Sequence, residues 1–492
     1  MIGKLLRLVA LLALLFVALV AIVIAIRTYD IQRGPPLSIW HTHAPDDLRA
    51  DEIARLDWNG YLAAEQRVFD EVRHEVVDRI EPEERVASNR YFEGSPLYPG
   101  RFATDWNRSF VMEPDGAPKG AVVMLHGLTD SPYSMRAIAQ LYREHGFVAI
   151  AIRLPGHGTV PAGLTKAHWE DWTQATRLAV REARRRIGPS LPLHLVGYSN
   201  GGALATQYAL DALADPQLSR PERVVLVSPM IGVTAFARFA GVFGWPAMFP
   251  AFAHATWLGV VTEYNPFKYN SFPINGARQS SLLTRELQGE IADAVASGRI
   301  AQMPPILTFQ SVVDFTVSTQ AIVDALYARL PANGSELMLF DVNRHAQLSP
   351  LLRARSQDAV ERTLPAPPRN YRTTVIANDD VPSGVVVERK VPPGTTAAVM
   401  RPLGVEYPTG MFSLSHIALP FATDDPLYGI DAPPDASKQF GINLGSVGGR
   451  GETGALIVNA DTLVRASSNP FLPYMLERIA EGIAPARPSA KP

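Results

Sequence analysis

Near its middle the chain reads Leu193-His194-Leu195-Val196-Gly197-Tyr198-Ser199-Asn200-Gly201-Gly202-Ala203-Leu204-Ala205. A short apolar run ends in Gly-x-Ser-x-Gly and passes into small, helix-forming residues. The pattern predicts a strand, a sharp turn and a helix, with Ser199 at the apex. Such a turn forces its central residue toward strained backbone angles and crowds the neighbouring chain, so glycine is needed on both sides. The hydroxyl is then presented at the C-terminal end of the strand, beside the free N–H groups that open the helix. Five residues can match by chance, so the surrounding chain decides what they mean.

Upstream, Gly120–Leu125 reads as a buried strand, followed at once by His126-Gly127-Leu128-Thr129-Asp130. Ser131 and Pro132 open a helix that runs to about His145, where Gly146 stops it. A second strand, Phe147 to Arg153, enters the tight turn Leu154-Pro155-Gly156-His157-Gly158. An amphipathic helix from Trp169 to Arg186 leads back to the Ser199 strand. Further strands are expected at Arg223 to Ser228, Ile306 to Asp314 and Glu336 to Val342, with a helix at Val317 to Leu330. Strands alternating with helices predict an α/β fold whose central sheet is mostly parallel and covered on both faces. Sites in such sheets form at the C-terminal ends of strands, where His126, Ser199 and Asp314 fall.

A chain of 492 residues with 47 % hydrophobic content can bury a full core and has room for more than one unit. Its net charge of −2 leaves no basic footprint, so nucleic acid is not an expected partner. The absence of cysteine excludes disulfides, thiol nucleophiles and thiolate metal sites. The 41 prolines, many in the last third, predict a loop-rich C-terminal portion. At the amino end Leu8 to Ile26 is unbroken apolar sequence, which as a helix would span about 28 Å, close to one hydrocarbon core. No small-x-small cleavage site precedes Arg27, so the expectation is a single-pass membrane anchor with the bulk of the protein outside the cytoplasm. His41 and His43 lie close together, but two histidines alone make no metal site, and a solvated loop is expected there.

His126-Gly127, Leu154 to Gly158 and Gly197 to Gly201 together resemble the α/β-hydrolase superfamily, on its serine esterase and lipase side. With Thr129-Asp130-Ser131-Pro132-Tyr133-Ser134 and the stretch Ser413 to Phe421, the chain is similar to bacterial hydrolases that resemble carboxylesterases and monoacylglycerol lipases. The resemblance implies Ser199 as nucleophile and Asp314 as the acid of a triad. The oxyanion hole would use the backbone N–H groups of Asn200, after the nucleophile, and Leu128, after the His-Gly pair. His126 and His157 sit in turns, where roles in shaping the loops are expected. No metal and no organic cofactor is implied.

Two histidines follow the acid in the order such triads use. His345 comes just after the strand Glu336 to Val342, and spacing favours it. His416 lies beyond further strand-like runs at Tyr371 to Ala377 and Val385 to Glu388. The resemblance favours His416, because Ser413-Leu414-Ser415-His416 looks like the family's active-site histidine stretch. Arg344 is also a poor neighbour for an imidazole that must become cationic. His416 is therefore the expected base and His345 the alternative.

The expected organisation is a transmembrane anchor (1–28), a linker and N-terminal helical region (29–116), and a hydrolase core in two parts (117–230 and 305–345). A cap insertion (231–304) separates the core parts, and its aromatics Phe236, Phe239, Phe243, Trp245, Phe249, Phe252 and Trp257 suggest an apolar lid. A C-terminal extension (346–484) carries His416, and a disordered tail (485–492) follows. The expected function is hydrolysis of lipid-like or other apolar carboxylic esters through an acyl-enzyme, with the membrane and a small-molecule or lipid ester as partners. A peptidase or acyltransferase on the same triad is the enzymatic alternative. A non-catalytic, membrane-anchored binding protein of the same fold is the other.

Overall fold

The computed structural model describes residues 36–232, 256–345, 349–379, 384–445 and 467–483, with His254 and isolated positions among the first 22. Its strands are β1 (Phe110–Met112), β2 (Gly120–Leu125), β3 (Phe147–Ile152), β4 (Leu193–Tyr198) and β5 (Arg223–Val227). They continue with a short ribbon, β6 (Trp257–Gly259) and β7 (Phe272–Pro273), then β8 (Ile306–Ser311) and β9 (Glu336–Phe340). The last three are β10 (Arg372–Asn378), β11 (Val385–Val391) and β12 (Val399–Glu406). The main sheet runs in the order β1-β3-β2-β4-β5-β8-β9-β10-β11-β12. Pairing is parallel from β3 through to β10, with antiparallel strands only at the two edges.

The central strands β2, β3, β4, β8 and β9 are buried at every residue, as a parallel sheet covered on both faces requires. Alternate residues feed opposite faces. Leu193 and Leu195 of β4 join the core under the helices α1 (Trp58–Glu75), α3 (Trp169–Ile187), α4 (Asn200–Ala214) and α5 (Ile274–Ala296). Val196 and Tyr198 point the other way, toward α2 (Arg136–Glu144), α6 (Leu472–Ala480) and the chain around Leu414 to Leu419.

Three expectations change. Of the stretch 231–304 expected as a cap, α5 belongs to the main core: Leu283, Leu287, Ile291 and Ala294 form its apolar stripe and are buried with the sheet. Trp257 is likewise buried, edge-on to His41, while Phe236, Phe239, Phe243, Trp245, Phe249 and Phe252 lie outside the described residues. The C-terminal extension expected after residue 345 is built into the main sheet, because β10 pairs parallel with β9 and carries the sheet onward. His41 does not lie in a solvated loop, whereas His43 follows in irregular, half-buried chain. His41 sits in the short helix Ile39–Thr42, buried, with its Nε2 on Ser271 Oγ at 3.0 Å, and His43 meets Glu71 at 2.9 Å. Most of the run Leu8 to Ile26 and the tail 485–492 lie outside the described residues. Among the described residues no helix is long and apolar enough to cross a membrane.

The N-terminal region is locked onto the turn after β3 by a buried charge. The Arg153 side chain is fully buried and donates to both carboxylate oxygens of Asp47, at 2.7 and 2.9 Å, and to Glu65 at 3.2 Å. Asp47 also accepts from Gly156 N at 2.7 Å, so one carboxylate ties Arg153, just past β3, to Gly156 in the turn Leu154–Gly158. A buried guanidinium is tolerated only while its partners remain. Asp47→Ala is therefore expected to lower stability by about 3 kcal/mol, read from the midpoint of urea denaturation at unchanged slope. A midpoint equal to that of the unsubstituted chain would mean that this pair does not hold the region.

Candidate active site

Ser199 stands where β4 turns into α4, at φ 54° and ψ −115°, a conformation that costs a serine about 1–3 kcal/mol. The backbone is held there from two sides: Ser199 N donates to Val227 O at 2.9 Å and Met230 N to Ser199 O at 3.0 Å. The turn closes only because the side chains are missing beside it. A Cβ on Gly201 would lie 2.0 Å from Leu125 O, and one on Gly197 would lie 2.3 Å from Gly201 O.

His416 lies against Ser199, with Nε2 at 2.9 Å from Oγ, and its Nδ1 meets Asp314 Oδ2 at 2.8 Å. The carboxylate accepts the Nδ1 proton, which leaves Nε2 to accept from the serine hydroxyl. Asp314 follows β8 by three residues, and its side chain is fully buried. Its Oδ1 accepts from Thr316 N at 2.8 Å and Val317 N at 3.0 Å, and its Oδ2 from Gln310 Nε2 at 3.1 Å. Burial works to raise this carboxyl. The His416 imidazole and the two backbone amides outweigh it and hold the group below the usual carboxylate range.

How His416 reaches the site so late in the chain is answered by anchors at the strand ends. The chain returns after β12 and crosses the C-terminal edge of the sheet. Asn343, fully buried just past β9, donates from Nδ2 to Pro408 O at 3.0 Å and Met411 O at 2.7 Å, and from its backbone N to Phe412 O at 2.8 Å. Ser311, the last residue of β8, donates to Leu414 O at 2.8 Å. His345 is turned away: its backbone N bonds Asn343 Oδ1 at 3.0 Å, and its ring faces Gly384, where a Cβ would stand 3.0 Å from Cδ2. Asn343 and Ser311 carry no sequence signal beyond their place at strand ends, and the sequence reading did not single them out.

Leu128 and Asn200 flank the serine. Asn200 opens α4, whose N-terminal amides favour negative charge. Gly127, the residue before Leu128, comes so close that a Cβ there would stand 3.2 Å from Ser199 Cβ. From above, α5 lays a row of small polar residues over the loops: Ser280 donates to Asn200 Oδ1 at 3.0 Å and Thr284 to Met230 O at 3.4 Å, while Gly276 lies over Leu128. His126 and His157 shape the turns. His126 Nδ1 donates to Gly127 O at 2.9 Å and its Nε2 accepts from Leu154 N at 3.1 Å, joining the two loops.

Both imidazoles are held neutral. Burial, then the neighbouring His157, pushes His126 well below its ordinary value, and burial takes His157 down to about 4. The unfolded chain binds a proton at His157 near pH 6.5 while the folded chain refuses it until about pH 4, so stability falls as pH drops through that window. Between pH 7 and pH 5 this one residue costs about 2 kcal/mol. Replacing it in His157→Gln is expected to flatten the pH dependence of the unfolding free energy by that amount. An unchanged slope would mean that His157 is charged, or exposed, in the folded chain.

The family model of serine aminopeptidases, S33, matches residues 116–349, a span that holds Ser199, Asp314 and His345 but ends before His416. A thermostable monoacylglycerol lipase of Bacillus sp. (strain H-257) is 30 % identical over 95 residues, 19 % of this chain and 36 % of that protein. The chain thus spans about a third of the length of the curated relative it matches. Among solved structures, the metagenome-derived lipolytic enzymes LipS and LipT give a TM-score of 0.36 at 21 % identity, covering 45 % of this chain and 83 % of theirs. A soluble variant of monoglyceride lipase from Saccharomyces cerevisiae gives 0.38 at 11 % identity, covering 47 % and 81 %. The family match spans the elbow and the parallel strands around it, so the chain has an α/β-hydrolase fold and is similar to serine esterases and lipases.

Proposed function

We propose that the protein is a serine hydrolase of carboxylic esters with apolar, lipid-like acyl groups. Ser199 is the nucleophile, His416 the base and Asp314 the acid that orients it, and the amides of Leu128 and Asn200 receive the oxyanion. The observation that carries this is the buried row of hydrogen bonds, 2.9 Å from Ser199 Oγ to His416 Nε2 and 2.8 Å from His416 Nδ1 to Asp314. As Oγ attacks the ester carbonyl, its proton passes to Nε2. The carbonyl oxygen becomes an oxyanion, and Nε2 then protonates the departing alkoxide. Water, deprotonated by the same nitrogen, releases the acid from the acyl-enzyme. An ester substrate agrees with the monoacylglycerol lipase that part of the chain resembles. The aminopeptidase description of the family model keeps an amide substrate as the second reading, and the same groups would serve it.

Turnover of p-nitrophenyl esters of rising chain length, set beside aminoacyl p-nitroanilides, separates the two. His416→Ala and Asp314→Asn are each expected to lose about 10³-fold or more in kcat, whereas His345→Ala stays within roughly tenfold. Loss of turnover in His345→Ala with retention in His416→Ala would transfer the base to His345.

The same reading includes a single-pass anchor at Leu8 to Ile26, with the hydrolase outside the cytoplasm, supported by the length and apolarity of that run. The full-length chain is expected to sediment with membranes and to resist carbonate, and a form lacking residues 1–28 to be soluble and active. Recovery of the full-length chain as a shortened soluble species would replace the anchor with a cleaved leader.

A further inference from the structure

Tyr198, the residue before the nucleophile, lies between the two halves of the site. It is 2 % exposed. Its ring stacks on the His416 imidazole, with centroids 5.5 Å apart and planes 30° from parallel, and its hydroxyl donates to His416 O at 3.3 Å. The Gly127 backbone closes on the same ring, where a Cβ would stand 3.3 Å from Tyr198 Cε1. One aromatic ring therefore touches both the His-Gly loop and the imidazole.

We infer that Tyr198 is a positioning residue for the base, acting through His416 and not on the substrate. The inference rests on the reaction proposed above. The imidazole is held by hydrogen bonds at its two nitrogens, to Ser199 and Asp314, and the Tyr198 ring bears on the orientation of its plane. A ring stacked beside the imidazole narrows the range of tilts open to it, and the hydroxyl holds the backbone carbonyl of the residue from which the imidazole projects. When the serine proton arrives on Nε2, the π face also lies against a cation, which it stabilises. Gly127 permits this placement, since a Cβ there would already crowd both the Tyr198 ring and Ser199 Cβ.

The role is distinct from filling the core, because it is exerted in the chemical step. In the full chain, Tyr198→Leu is expected to lower kcat for a p-nitrophenyl ester about tenfold, with KM within twofold, and Tyr198→Phe to stay within about threefold of the unsubstituted enzyme. In a His416→Ala background, Tyr198→Leu should cause no further loss, since the group through which it acts is gone. If Leu unfolds the chain, Tyr198→Met fills similar space without a ring and carries the same expectation. Three results would overturn the inference: a Leu or Met variant with unchanged kcat, a change confined to KM, or a Phe variant as impaired as Leu. Full activity in His416→Ala alone would instead remove the proposed reaction, so the two failures are told apart.

Discussion

A serine is held at φ 54° at the crossing of β4 and α4, and much of the structure serves that one position. Glycines at 197 and 201 let the helix start press against the strand and against the Leu125 carbonyl, leaving no room for a Cβ. Two backbone hydrogen bonds, to Val227 and from Met230, fix Ser199 to the next strand and its following loop. The local strain persists because the flanking strands are buried at every residue and cannot relax without exposing apolar surface. The reward is a hydroxyl that stands clear of the sheet edge, at the N-terminal end of a helix and beside Gly127.

The partners of this hydroxyl arrive by long detours, and each detour ends on the sheet. Asp314 comes from the loop after β8 and spends its carboxylate oxygens on two amides of its own turn, on Gln310 and on His416. His416 arrives after three further strands. Those strands extend the same sheet, and the chain then runs back over the ends of β9 and β8, where Asn343 and Ser311 take up the carbonyls of Met411 and Leu414. The loop after β9, where spacing alone would seat the base, thus holds the segment that carries His416. This explains how the family match can end before His416 although that histidine lies on Ser199.

The loops on the other side are held from outside the sheet. The Asp47–Arg153–Glu65 cluster pins the turn after β3, and His126 joins that turn to the His-Gly loop. From above, α5 meets Leu128 through Gly276 and Asn200 through Ser280, so the two amides assigned to the oxyanion rest under one helix. Small residues on this face of α5 are what allow the close approach, while its leucines face the core.

The sequence by itself determined what depends on neighbours along the chain. The buried strands, the glycine-flanked turn at Ser199, the place of Asp314 after β8 and the alternation that makes a covered parallel sheet were all legible, because each is a local pattern with one structural solution. Tertiary structure decided whatever depends on distance in space. Spacing along the chain favoured His345, yet His345 faces Gly384, because three more strands fit beside β9 and redirect the later chain to the serine. The helix Ile274–Ala296 read as part of a cap, since its long approach hid an apolar stripe that finds its place only against the other core helices. His41 looked solvated from the sequence, but Ser271, far along the chain, meets it in a buried contact. Local pattern fixes which residues can form strands and turns; which distant groups then meet is settled by how those elements bury their surfaces together.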